Sequence, residues 1–340
     1  MLNAQTASTA TKAVSIVMAV HNQAQQLAAH MPLMLTFDYE PGYEVIVVDE
    51  SSTDDTSAVL KQLKQQYPRL YTTYIPGNSH YLSRRKLALT IGIKAAHHEW
   101  IVITEADCHP EHPQWLTAFA QTFSEQTDAV GSYTPYDVGS NAFYSYLRMI
   151  TFWRQGAAPY RYDGACLAIR RSAFMQRNGF LANLPFLRSE YDFLMNETPR
   201  QRVAVANSEG MRLIQQQPSR KEWEAQQLFH QQCRSHMKRA FFPRLCFLLH
   251  QLLLHAAYWT VAAAAAWALW QQDMLTGACS AAVLIVLVAV HTYAGHRLAE
   301  LHGEHISLWK TPLVSLGVAW YYVIYRLRYL FANKNDFARK

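Results

Sequence analysis

The stretch Trp100–Pro110, WIVITEADCHP, decides the fold. Its first five residues form an apolar run of the kind that fills a strand covered on both faces. The run leads straight into two carboxylates, Glu105 and Asp107, two positions apart. An unpaired buried charge is costly, so acids at the tip of such a strand require a partner. If the backbone stays extended, side-chain alternation points both the same way, and both can converge on one cation. In open α/β sheets, ligands bind in the crevice at the carboxyl ends of the strands. The segment therefore reads as a metal-and-phosphate site, with a solvated turn capping the next helix as the plain alternative.

Upstream, Val14–Val20 (VSIVMAV) is a short apolar run ending at His21 and Asn22 and followed by a polar helical stretch. Tyr43–Val48 (YEVIVV) is a second buried strand, leading into DESSTDDT at Asp49–Thr56. Ser52 or Thr53 can cap the helix that runs to about Tyr67, and Asp54 and Asp55 favour its first turn. Tyr71–Ile75 is a third strand, Arg84–His97 a helix, and Trp100–Thr104 the fourth strand. Strands alternating with helices at this spacing indicate an α/β fold with a mainly parallel sheet and helices on both faces. No GxGxxG follows the first strand, so the usual dinucleotide-binding loop is missing.

Half of the 340 residues are hydrophobic, yet the mean hydropathy is slightly negative, which suggests a soluble part joined to a membrane part. The net charge of +6 is local. Lys238, Arg239 and Arg244 precede an apolar region, and Arg326, Arg328, Lys334, Arg339 and Lys340 follow it. Such placement reads as a cytoplasmic membrane flank rather than a nucleic-acid patch. The five cysteines show no CxxC spacing, so neither a disulfide framework nor a zinc cage is indicated. The N-terminal stretch has no basic-then-apolar signal, and the soluble part is expected in the cytoplasm.

From Leu245 the texture changes. Residues 245–270 and 274–293 are each long and apolar enough to span a bilayer, separated by the polar turn Gln271–Asp273. Positive residues on both outer flanks and none in the turn place both outer ends in the cytoplasm. The third stretch, 312–331, mixes tyrosines with Arg326 and Arg328 and fits an interfacial helix better than a third span. The expected division is residues 1–240 as a catalytic-type domain and 241–340 as a membrane region.

The segments SIVMAVHNQ (Ser15–Gln23), VIVVDESSTDDT (Val45–Thr56) and RRKLALTIGIKAAHHEWIVITEADCHP (Arg84–Pro110), with the later cluster Glu190–Asp192, resemble the family-2 glycosyltransferases. The resemblance covers about Val14 to Arg239 and is closest to bacterial membrane-attached members. It implies the GT-A fold and sugar transfer, with inversion, from a nucleoside-diphosphate donor; two spans are too few for a polysaccharide channel, which favours transfer of a single sugar. A uridine diphosphate sugar is the expected donor, and a glycan or lipid-linked molecule the acceptor. The expected location is the cytoplasmic face of a bacterial inner membrane, in contact with its lipids and with no nucleic-acid partner.

Glu105 and Asp107 occupy the DxD positions of that family, which implies a bound Mg2+ or Mn2+, with Asp107 the better ligand. A divalent ion neutralises a departing diphosphate without proton transfer. Asp49 and Glu50 match the family's nucleoside-contacting acids. Of Arg84, Arg85 and Lys86, basic residues that oppose the helix dipole, Lys86 is the favoured diphosphate ligand. Glu190 or Asp192 would serve as catalytic base, because Tyr191 stands where that base is commonly Asp. Arg234, in QQCRS (Gln231–Ser235), resembles a diphosphate-contacting arginine, with Ser235 replacing the motif's Trp. Cys166 reads as a small packed residue. His97, His98 and Glu99 read as the close of a helix rather than a metal site. The departures at Glu105, Tyr191 and Ser235 keep open a non-catalytic nucleotide-sugar or glycan binder of the same fold.

Overall fold

The computed structural model describes residues 12–77, 83–137, 139, 141–155 and 159–332. Lys334, Arg339 and Lys340 of the expected basic flank lie outside the described residues, as does the side chain of Ser235. The strands are β1 (Val14–Val20), β2 (Tyr43–Asp49), β3 (Leu70–Tyr74), β4 (Trp100–Thr104), β5 (Cys108–Pro110), β6 (Ala129–Ser132), β7 (Cys166–Arg170), β8 (Val203–Ala206) and β9 (Leu213–Gln215). The helices of the first 240 residues are α1 (Ala24–Leu35), α2 (Thr56–Gln66), α3 (Arg84–Ala95), α4 (Trp115–Ala120), α5 (Ala142–Gln155), α6 (Arg171–Gln176), α7 (Glu190–Glu197) and α8 (Arg220–Cys233). Then follow α9 (Phe241–Gln271), α10 (Met274–His302) and α11 (Thr311–Phe331).

Seven strands form one sheet in the order β3-β2-β1-β4-β7-β6-β8. Strands β1, β2, β3 and β4 are mutually parallel, whereas β7 runs antiparallel to both β4 and β6. All seven residues of β1 and all five of β4 are buried, which their continuous apolar runs require of strands covered on both faces. Alternation then divides them. Val17, Ala19, Ile46 and Val48 join the core under α3 and α5, while Ile16, Met18, Val45 and Val47 join the core under α1, α2 and α4. The order 2-1-4 opens a crevice at the carboxyl ends of β1 and β4.

Two local expectations are corrected. Ser52 and Thr53 do not cap α2. The hydroxyl of Ser52 accepts from Asn22 N–H at 2.9 Å, and Asp54 Oδ1 accepts from Thr56 N–H at 3.1 Å instead. The backbone also does not stay extended through Glu105–Asp107. The chain turns there, with Cys108 N–H donating to the Glu105 carbonyl at 3.2 Å, so the two acids face different partners.

Both α9 and α10 are long and apolar enough to cross a membrane by length and composition, and 6% of the most apolar window of each is buried. The polar turn between them is built on Asp273, whose Oδ1 accepts from Leu275 N–H at 3.1 Å and Thr276 N–H at 3.2 Å. Past residue 293, the expected end of the second span, α10 continues to His302 and enters the first domain. His302 packs edge-on against Tyr133 and Phe152, and Tyr133 donates to Glu304 at 2.5 Å. Helix α11 lays Tyr321 and Tyr325 on Trp223 of α8. Hydrophobic packing is therefore continuous across residue 240.

Gly303 sits at this junction with φ +71°, ending α10 in the left-handed region. A Cβ there would also collide with the Arg212 guanidinium, which donates to the Leu301 carbonyl at 3.0 Å. Gly303→Ala should cost about 1–3 kcal/mol, read as a lowered Tm. Gly277→Ala, whose new Cβ would make ordinary contact 3.7 Å from Ala268, should leave Tm unchanged.

Candidate functional site

The β1 and β2 tips are stitched together before any ligand is considered. Asn22 (φ +52°) and Ser51 (φ +69°) turn the two chains in left-handed conformations. Thr53 N–H donates to Asn22 Oδ1 at 2.8 Å, and Asp49 Oδ1 accepts from Ser52 N–H at 2.8 Å and Ser52 Oγ–H at 2.6 Å. Asp49 is thus held at the mouth of the crevice, 6% exposed. Beside it, burial pushes the Glu50 carboxyl above its ordinary value, against the opposing pull of Arg85 and then Arg188.

Arg85, in the first turn of α3, is the hub of the cluster. Its guanidinium pairs with Glu105, lies 3.7 Å from Glu190 Oε2 and reaches the Ala19 carbonyl at 3.5 Å. Burial opposes its charge, but Glu105 and then Glu190 hold its pKa well above the usual arginine value. One cation therefore ties together the tips of β1 and β4, helix α3 and helix α7.

Asp107 faces the other way, into the ribbon of β5 and β9, where Cys108 pairs with Gln215. Its carboxylate accepts from Gln215 Nε2 at 3.0 Å and from the Cys108 thiol at 3.6 Å, both neutral donors. Burial, and then the charge of Glu105, pushes its carboxyl up to about 6. Gln215 Oε1 nearby is buried without a hydrogen-bond partner. Among the described residues, no group of three or more His, Cys, Asp or Glu side chains converges to hold a metal. Mg2+-type sites do not need one, because one or two carboxylates suffice when substrate phosphates complete the shell. Asp107 fits that role, being an oxygen donor whose charge no described cation pairs.

At the start of α7 the two candidate bases separate. Glu190 is 3% exposed, with Oε2 towards Arg85 and Oε1 lacking any partner. Asp192 is turned into the protein, accepting from Tyr162 N–H at 2.7 Å and lying 3.3 Å from His230 Nδ1. Between them, Tyr191 donates to Glu105 Oε1 at 2.7 Å. Burial and Glu105 raise the Tyr191 pKa well above its usual value, so it stays a donor at any working pH.

Two expected donor ligands lie elsewhere. Lys86 is 1% exposed and spends its ammonium on the carbonyls of Asn183 and Phe186, because one step along a helix turns a side chain by about 100° away from its neighbour. Lys86→Met should leave those carbonyls unpaired and cost about 1–3 kcal/mol in denaturant unfolding. Unchanged stability with weakened donor binding would instead restore Lys86 to the diphosphate. Arg234 sits among other arginines in a cavity beside α9, where burial and then Arg326 lower its pKa. Gln215 and His230, which hold Asp107 and Asp192, carry no sequence signal, since neither belongs to a recognisable spacing. The histidines at 97 and 98 lie at the opposite end of the strands, with His97 Nδ1 2.8 Å from Glu44.

Residues 15–181 match the profile of the family described as Glycosyl transferase family 2. A mannosyltransferase from Pyrobaculum calidifontis, solved with GDP-Man and Mn2+, superposes with a TM-score of 0.57 at 18% identity, over 95% of this chain and 88% of that one. Residues 1–349 of TarS from S. aureus give 0.45 at 15% identity over 64% of each chain. Glucosyl-3-phosphoglycerate synthase from Mycobacterium tuberculosis, with Mn2+, UDP and glucosyl-3-phosphoglycerate, gives 0.42 at 19% identity over 64% of this chain and 76% of that one. The first of these establishes a shared GT-A-like fold along nearly the whole chain.

Proposed function

We propose, on the premise that residues 15–181 match glycosyl transferase family 2, an inverting, metal-assisted transferase of a single sugar from a nucleoside-diphosphate donor, with uridine as the donor nucleoside. The acceptor is a glycan or lipid-linked molecule, met at the cytoplasmic face of a bacterial inner membrane. The observation that carries this reading is the gathering of Glu50, Arg85, Glu105 and Glu190 at the carboxyl ends of β1, β2 and β4, with Asp49 at the β2 tip and Asp107 beside them on the β5–β9 ribbon.

In this reading Asp49 and Glu50 accept hydrogen bonds from the nucleoside, and the buried Arg85 offers guanidinium donors to the diphosphate once its carboxylates yield. Asp107, supported by Gln215, would hold Mg2+ or Mn2+, and Glu105 would join it only by giving up its contacts with Arg85 and Tyr191. When bound, the ion supplies Lewis-acid neutralisation of the leaving diphosphate. Glu190, with one oxygen oriented by Arg85 and the other unpartnered, is the base for a hydroxyl acceptor. The exposed apolar faces of α9 and α10 support insertion of the hairpin, with Gln271–Asp273 on the far side. A reporter fused at that turn should score as non-cytoplasmic.

A second reading is favoured by one contact. Tyr191 occupies the usual base position and donates to Glu105, an arrangement suited to binding without turnover. Donor hydrolysis assayed with Mg2+ and Mn2+ separates the two. Ion-dependent release of nucleoside diphosphate supports the transferase, and its absence with every donor, while binding persists, supports the binder.

A further inference from the structure

Glu304 is a buried carboxylate that the proposed chemistry does not use. It is 6% exposed and stands just past the end of α10, far along the chain from every acid of the crevice. Its backbone belongs to the helix end, where Gly303 N–H donates to the Glu300 carbonyl at 3.1 Å and Glu304 N–H to the Ala299 carbonyl at 2.9 Å. The side chain therefore starts from a fixed point on the helix that leaves the apolar hairpin.

A buried acid persists only where donors meet it. Burial disfavours the Glu304 charge, and hydrogen bonds from Tyr133, Ser145 and the Tyr136 N–H, with the charge of Arg148, offset part of that cost. Tyr133 is fully buried, and its hydroxyl donates to Glu304 Oε1 at 2.5 Å. Two of these donors, Tyr133 and Tyr136, belong to one short stretch between β6 and α5. Arg148 of α5 also holds that stretch, donating to the Thr134 carbonyl at 2.9 Å and lying 3.6 Å over the Tyr136 ring.

The same stretch places Gln215. Gln215 N–H donates to the Pro135 carbonyl at 2.9 Å, and Asp137 N–H donates to the Gln215 carbonyl at 3.0 Å. Both main-chain groups of Gln215 are thus committed to residues 135 and 137. Its side chain is 8% exposed and carries its amide to the two oxygens of Asp107, at 3.0 and 3.3 Å.

We propose that Glu304 is a positioning residue for the metal carboxylate Asp107, acting through the stretch 133–137 and Gln215. The inference rests on the reading of Asp107 as the ion's anchor and adds to it the end of α10. Hydrogen bonds that aim a metal ligand are worth about 10- to 100-fold in metal affinity. Asp107 has two such donors, Gln215 and the Cys108 thiol, and the thiol at 3.6 Å is the weaker. Gln215 therefore sets the aim of Asp107, and the stretch that Glu304 holds sets Gln215. A purely structural role for Glu304 would lower stability and leave the ion's affinity alone.

The test uses the full chain in neutral-detergent micelles. Mn2+ binding, with UDP or GDP present, is read from the loss of the free-ion EPR signal, and the thermal transition is recorded on the same samples. Glu304→Ala should weaken Mn2+ binding about tenfold, and Tyr133→Phe should weaken it in the same direction. Glu304→Gln, which keeps an acceptor for Tyr133, should restore most of the loss. Gln215→Leu supplies the deciding background. There Glu304→Ala should still lower Tm but weaken Mn2+ binding no further, because its route to Asp107 is already cut. Mn2+ affinity close to wild type in both Glu304→Ala and Tyr133→Phe overturns the proposal. Equal weakening by Glu304→Ala with and without Gln215 overturns it too. If Glu304→Ala lacks a cooperative transition, Tyr133→Phe takes its place in both backgrounds, with the same expected and overturning results. Asp107→Asn separates the two levels of the argument. No Mn2+ binding by the wild type, or binding that survives Asp107→Asn, brings down the metal reading of Asp107 and this proposal together. Binding lost in Asp107→Asn but untouched by Glu304→Ala and Tyr133→Phe overturns this proposal alone.

Discussion

Asp107→Ala should lower ion-dependent donor turnover by about a thousandfold, because neutralising a departing diphosphate is worth several kcal/mol and the proposed reading makes this carboxylate the main protein anchor for the ion. Its stability consequence has the opposite sense. Burial and Glu105 both disfavour the ionised Asp107, so Asp107→Asn should fold at least as well as the wild type while losing the same activity. Calorimetry and a nucleoside-diphosphate release assay on the same samples check both halves. Turnover in Asp107→Ala within tenfold of wild type removes Asp107 from the metal role.

Arg85→Ala should be the most destabilising single change in the cluster, at about 3–5 kcal/mol, because it leaves Glu105 and Glu190 without their cation. Glu190 is hit hardest, since its side chain is 4% exposed and its other oxygen already lacks a partner. Adding Glu190→Gln to Arg85→Ala should recover part of the loss, because the stranded charge is removed as well. Chemical denaturation of the two single variants and the double variant measures the coupling. Additive losses would mean that the 3.7 Å approach carries no energy. Donor binding should fall in Arg85→Ala and stay low in the double variant, which separates the ligand role from the structural one.

Much of this site is legible in the amino-acid sequence. The runs VSIVMAV, YEVIVV and WIVIT end in acids or polar turns, and each became a buried strand whose tip borders the crevice. That legibility is local, since a strand buried on both faces has to be apolar throughout and the residue after it has to turn. The two apolar helices were visible for the same reason, because length and composition are properties of one segment. What was misread depends on rotation and on distant partners. Arg85 and Lys86 are neighbours of similar charge, yet one reaches Glu105 and Glu190 and the other the carbonyls of Asn183 and Phe186. Asp192 resembles Glu190 in sequence but is drawn towards Tyr162 and His230.

By itself, then, the sequence determined the first four strands, the acids at their tips, the two long apolar segments and the match of residues 15–181 to glycosyl transferase family 2. The tertiary structure alone decided which cation meets those acids, which oxygen of Glu190 is left unpartnered, and that Arg234 joins Arg161, Arg244 and Arg326 against α9. The physical reason is the range of the forces involved. Periodicity and apolar length act between residues a few positions apart. The pairings of Arg85 with Glu190, Asp107 with Gln215 and Asp192 with His230 join elements far apart in the chain, and only the packed core sets which side of each helix they share.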